Sequence, residues 1–200
     1  GNDAASLTST SVTNNSTVEK ELVCDGEGTE EIQLQRVDSG YLYGIDDDNQ
    51  IFEINPQKKT TTMVFDTELQ SRKGSNGVAF HKGSGAVLFF YEKTLYSWNT
   101  TTKALTKHDF KEGKTASAAV YGDSLWWIKS NTNKLYKLDI SSLNSGNIIE
   151  NQAERYELEN YTKAGFGDIA ITSDGILYGS ATGGEIGRGG FFSFNLQSII

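Results

Sequence analysis

Leu95-Tyr96-Ser97-Trp98-Asn99 is an apolar, aromatic strand that ends on an Asn and enters a polar turn. Ile51-Phe52-Glu53-Ile54-Asn55, Leu135-Tyr136-Lys137-Leu138-Asp139 and Phe191-Phe192-Ser193-Phe194-Asn195 repeat the pattern. A second short strand precedes each copy: Leu42-Tyr43-Gly44, Leu88-Phe89-Phe90, Leu125-Trp126-Trp127 and Leu177-Tyr178-Gly179. Strands in fixed order at a period of several tens of residues mark a repeat architecture. The terminal Asx residues, Asn55, Asn99, Asp139 and Asn195, lie 44, 40 and 56 apart, and insertions such as Ser145–Lys163 and the glycine loop at 183–190 account for the unevenness.

Working outward adds two more strands to each copy. Glu31–Val37 alternates polar and apolar residues, and Gly77–Phe80, Ser117–Val120 and Asp168–Ile171 take its place in the later copies. After the Asx turns, Thr60–Phe65, Ala104–Phe110 and Arg155–Leu158 supply a fourth strand. Four antiparallel strands in a meander are the blade of a β-propeller, whose radial repetition avoids long exposed sheet edges. The fold expected is therefore all-β: about four four-stranded blades, either a closed four-blade ring or part of a larger propeller. Ala79, Ala119 and Ala170 fall at like positions of the innermost strands, where small side chains suit crowding near an axis; Gln33 departs from that pattern.

Residues 1–18 are nearly all Ser, Thr, Asn, Ala and Gly and read as a flexible leader that buries too little to offset its ordering entropy. Propeller repeats are expected over 19–200, at approximately 29–75, 76–115, 116–166 and 167–200, with 21–25 available to close the last blade. Two hundred residues make one domain with a real core. Twenty-one glycines against one proline suit many tight hairpins. The net charge of −8 disfavours nucleic acid and anionic membranes as partners. The longest apolar run, Ala86–Tyr91, is far short of the ~20 residues that span a bilayer. Cys24 is the only cysteine, so no intramolecular disulfide and no cysteine-based metal site can form.

Few residues carry a chemical signal. The hairpin Asp46-Asp47-Asp48-Asn49 crowds carboxylates that could hold calcium, although the glycine and distal glutamate of a full calcium loop are missing; a solvated acidic turn explains it as well. Glu31, Gly77, Ser117 and Asp168 occupy like positions at the starts of inner strands. If the blades close, these positions, with Glu31, Ser117 and Asp168 as candidate binding residues, would ring one mouth of the channel, and Glu31 and Asp168 would offer acceptors to a sugar hydroxyl or cation. The competing role for Asp168 is to bind neighbouring backbone amides and lock blades together. His81 and His108 lack the partners that metal binding or general-base work needs, and read as ordinary surface or strand-end residues. Trp126-Trp127 and Phe89-Phe90-Tyr91 read as core, because adjacent strand residues point to opposite faces and so feed both blade interfaces. No catalytic residue, metal site or bound cofactor is expected.

The stretches LYGIDDDNQIFEINPQKKTT and GDIAITSDGILYGS, with GGFFSFNL after them, resemble repeats of secreted bacterial propellers in the NHL, YVTN and quinoprotein-like superfamilies, over roughly Glu31–Ile200. That resemblance implies a propeller but no particular substrate. The function expected is a secreted or cell-surface, non-enzymatic binding or adhesion module that takes a glycan, protein or surface through its blade loops. The alternative is a fragment of a propeller enzyme, a lyase, hydrolase or quinone-dependent oxidoreductase, completed by further blades. Self-association through open blade edges is a third expectation.

Overall fold

The computed structural model describes residues 7–13, 16–22, 40–70, 75–111, 115–129, 132–150, 152–158, 165–182 and 188–198. They fall in two compact units. The first carries the hairpin β1 (Leu7–Thr13) and β2 (Ser16–Leu22), in which Leu7 pairs with Leu22 and Thr13 with Ser16. Strand pairing thus occurs inside the stretch read as a flexible leader, where Thr and Val provide β-branched residues that favour extended backbone. Glu21 and Leu22, offered above as a closing strand, lie opposite Thr8 and Leu7. The rest of that strand, 23–25, and the inner strand expected over 31–37 lie outside the described residues.

The second unit holds four antiparallel sheets in chain order. The first comprises β3 (Leu42–Ile45), β4 (Gln50–Asn55) and β5 (Thr60–Asp66). The second is β6 (Ser75–His81), β7 (Ala86–Tyr91), β8 (Thr94–Asn99) and β9 (Leu105–Lys111). The third is β10 (Thr115–Tyr121), β11 (Ser124–Lys129), β12 (Lys134–Asp139) and β13 (Glu154–Glu157). The fourth is β14 (Gly165–Ile171), β15 (Ile176–Thr182) and β16 (Arg188–Asn195). These are the blades of a propeller, and among the described residues they do not close into a ring.

The inner strands β6, β10 and β14 lie side by side. Each carries one residue more than its hairpin partner, between Asn76 and Ala79, Thr115 and Ser117, and Phe166 and Ile169. A bulge in the first half of each inner strand bends it and increases its local twist. Gly77 sits in the first of them with φ +65°, and a Cβ there would lie 2.8 Å from Thr115 Cγ2 of the next blade. Glycine is required on both counts.

Strand alternation sends each blade's side chains to two interfaces. Val87, Phe89 and Trp98 pack with Ile51 between the first and second blades. Leu88, Phe90 and Leu95 meet Leu125, Trp127 and Leu138 between the second and third. Trp126, Ile128 and Leu135 meet Ile169, Leu177 and Phe192 between the third and fourth. The two doublets read as core are therefore split between interfaces, as alternation requires.

A polar contact joins the inner strands β10 and β14 directly. Buried Ser117 accepts a hydrogen bond from the Ile169 N–H of the next blade at 3.0 Å. Replacing Ser117 with alanine strands that buried N–H, a loss expected to lower stability by about 1–2 kcal/mol. Urea unfolding checks it, and an unchanged midpoint would show that the contact contributes nothing.

Candidate functional site: an uncharged cleft at the turn end of two blades

The β6–β7 and β8–β9 turns meet at one end of the second blade. Asn99 Oδ1 accepts from the Thr101 and Thr102 N–H groups at 3.0 and 2.9 Å, the local turn that Asx residues favour. Its Nδ2 donates to the Ser84 carbonyl at 3.1 Å, and the Thr100 hydroxyl donates to the Gly85 carbonyl at 2.8 Å. The two turns are thereby stitched into one rigid rim.

The third blade contributes the facing wall. Asp139 Oδ1 accepts from the Ser141 N–H at 2.8 Å, and this bond holds its carboxyl below the usual carboxylate range. The chain then makes a 3₁₀ turn over Ser141–Ser145 that closes on Gly146 at φ +72°. Buried Leu143 and Ile149 anchor this loop in the core shared with the second blade.

Between the two walls lies a cleft of about 310 Å³. Ser84, Asn99, Thr102, Thr106, Asn144 and Asn147 line it, with Ser97, His108 and the apolar Ala86, Ala104 and Leu143. No Lys, Arg, Asp or Glu is among the described residues that line it. Burial holds the His108 imidazole down to about 4, so the lining carries no formal charge at neutral pH.

Both histidines are buried, so neither is a surface residue, although His81 does end its strand, β6. His108 Nδ1 accepts from the Ile149 N–H at 3.1 Å, which leaves the proton on Nε2 to face Ser97 Oγ at 2.7 Å. This imidazole has no free lone pair with which to act as a base. His81 places Nδ1 2.8 Å from Ser84 Oγ and Nε2 3.0 Å from Asp123 Oδ1 in the next blade's inner hairpin. A Ser-His-Asp string has the members of a nucleophile relay, but the repeat assigns it another role. Tyr121 occupies the same position one blade on, and a Cβ on Gly175 of the following hairpin would lie 2.9 Å from its hydroxyl. In both blades the last residue of the inner strand docks the next blade's turn.

The residues singled out from the sequence lie elsewhere. Glu31 is outside the described residues. Ser117, near the start of β10, is buried and engaged with Ile169; Asp168, at the like position of β14, is exposed. The interblade lock considered for Asp168 is thus made one repeat earlier, by Ser117. In the Asp46–Asp48 turn, Asp46 Oδ1 accepts from the Asp48 and Gln50 N–H groups at 3.0 and 2.8 Å. Among the described residues no three His, Cys, Asp or Glu side chains gather as a metal site would need. No helix among them is long and apolar enough to cross a membrane. The cleft residues escaped sequence reading because Ser, Thr and Asn in turns look like turn chemistry. The one available signal was that three such turns belong to the same end of adjacent blades.

No protein-family model and no curated protein matches the chain. Among solved structures, hydrazine synthase of Kuenenia stuttgartiensis superposes with a TM-score of 0.54 at 13% identity, over 80% of this chain and 44% of that one. The extracellular domain of a one-component system from B. thetaiotaomicron gives 0.46 at 19% identity, over 78% of this chain and 18% of that one. Regucalcin from Agrobacterium tumefaciens gives 0.48 at 15%, over 72% and 51%. The chain spans less than a fifth of the B. thetaiotaomicron protein and about half of regucalcin. At 13% identity the likeness to hydrazine synthase is one of fold, and with the blade order it makes the chain a β-propeller repeat protein.

Proposed function

We propose that this propeller is a non-enzymatic binding module of the cell exterior or envelope, and that it recognises a glycan in the cleft between the β8–β9 turn and the Ser141–Asn147 loop. The observation that carries the reading is the lining, in which uncharged Ser, Thr and Asn residues predominate and no charged side chain occurs among the described residues. A saccharide offers closely spaced hydroxyls that both donate and accept. Asn amides and Ser or Thr hydroxyls match both roles without the desolvation cost of an ion. A phosphorylated or strongly anionic ligand would find no cation there. The overall net charge of −8 works in the same direction.

Asn144 and Thr106 lie on opposite walls of the cleft. Each neutral hydrogen bond lost on substitution is worth about 1 kcal/mol, which corresponds to roughly a 5-fold rise in Kd. A glycan array identifies the ligand, and calorimetry on Asn144→Ala and Thr106→Val should then show that rise for each variant. Absence of any saccharide ligand, or a ligand indifferent to both substitutions, overturns the reading.

A further inference from the structure

The outer faces of the first and fourth blades carry a pattern that the inner interfaces decode. Sheet register places Tyr178 of β15 where Trp126 and Leu88 stand in the third and second blades, and Phe191 of β16 where Leu135 and Leu95 stand. Those four equivalents are all 0% exposed, packed against the following blade, whereas Tyr178 is 51% and Phe191 85% exposed. The first blade shows the converse. Leu42 is the equivalent of Val87, Leu125 and Leu177, which are 0% exposed against the preceding blade, yet Leu42 is 56% exposed. Phe52 likewise stands where Tyr96, Tyr136 and Phe192 are buried, and is itself only half-buried.

The chain therefore presents one face built to receive a following blade and another built to receive a preceding one. We propose that the occupant of each is a second copy of this chain: the fourth blade of one copy docks the first blade of the other, and the reciprocal junction closes a ring of eight blades. Two-fold symmetry maps one junction onto the other, so one set of residues satisfies both. Eight blades lie within the range over which radial closure is known. Each junction brings together positions equivalent to those packed at the three interfaces already formed inside the chain. Asp168, at the position where Ser117 accepts an N–H from the next inner strand, brings a carboxylate acceptor to the junction. This inference is independent of the cleft, which lies between the second and third blades.

Light scattering on a size-exclusion column, across a wide range of loading concentrations, tests it. The wild-type chain should run near twice the 21.9 kDa of one copy. Phe191→Glu and, separately, Leu42→Glu should each fall to the monomer mass, because either change spoils both junctions. An equimolar mixture of the two variants should recover dimer, since one junction then pairs two unaltered faces. Both positions are exposed within the chain, so circular dichroism and melting of each variant should match a folded monomer; Tyr178→Arg replaces Phe191→Glu if that variant does not. A monomeric wild type overturns the proposal. So does a dimer that survives Leu42→Glu, because fourth blades pairing with each other would ignore that residue. A mass that climbs without limit overturns closure of the ring.

Discussion

Replacing Trp127 with alanine is expected to lower folding stability by about 3–5 kcal/mol, the usual cost of deleting a fully buried large aromatic side chain. Trp127 is buried at the interface of the second and third blades. Its ring stacks on Tyr136 at 5.2 Å and 10°, meets Phe110 edge-on at 5.6 Å and 83°, and lies 5.5 Å from Phe90. Such pairs each add about 0.5–1.5 kcal/mol beyond area burial. Three partners drawn from two blades cannot collapse into the space together, so much of the cavity should persist. Domains of this kind have only about 5–15 kcal/mol in total, which makes the change a large fraction of the whole. Urea unfolding should show a lower midpoint with an unchanged slope. Phe191→Ala, measured on the monomer, should stay within about 0.5 kcal/mol because its ring faces solvent there. A Trp127→Ala loss below about 1.5 kcal/mol would mean that the blade interface is not the principal source of stability.

The same interface shows why the fold was legible in the sequence. Alternation along Leu125-Trp126-Trp127-Ile128 has a fixed consequence for any strand, so Trp126 and Trp127 must face different neighbours, and they do. The Asx residues that close each copy were legible for an equally local reason: Asn99 and Asn55 bond backbone amides two and three residues on. The position of Ser117 relative to Ala119 was also readable, but its partner was not. Whether an inner-strand hydroxyl meets Ile169 or a channel depends on a bulge that shifts the register by one residue, and nothing in Thr115-Ala116-Ser117 announces the bulge. The cleft lay further out of reach. It needs the Asn99 turn, the Ser84 turn and the Ser141–Asn147 loop at one end of two blades, a juxtaposition between residues some sixty apart. His108 failed for a related reason: an alternating strand predicts which face it takes, but only the Ile149 loop makes that face dry.

That dry face gives His108 a measurable pH signature. The neutral ring accepts the Ile149 N–H on Nδ1 and directs its Nε2 proton to Ser97. A second proton must therefore displace the Ile149 bond and charge a ring buried in the core, which is why its pKa falls to about 4 against about 6.5 for an unfolded chain. Above pH 6.5 both states are neutral and His108 adds no pH dependence. Between pH 6.5 and 4 the unfolded chain takes up a proton that the folded chain refuses, so stability falls as pH drops. The loss should total roughly 3 kcal/mol, after which this group contributes no further change. Carboxylates titrate in the same range, so the signal to read is the difference between the wild type and His108→Gln. The variant should be less stable at pH 7, where it loses a fitted hydrogen-bonding ring, and the gap should shrink or reverse by pH 4.5. Urea curves at the two pH values test this, with the His108 ring resonances titrating near pH 4 as an independent check. Parallel pH profiles for the two proteins would place solvent at His108, and with it a loop that opens between Leu143 and Ile149. The cleft wall would then be a moving part, and the rigid turns taken above as the basis of recognition would have to be confined to the Asn99 side.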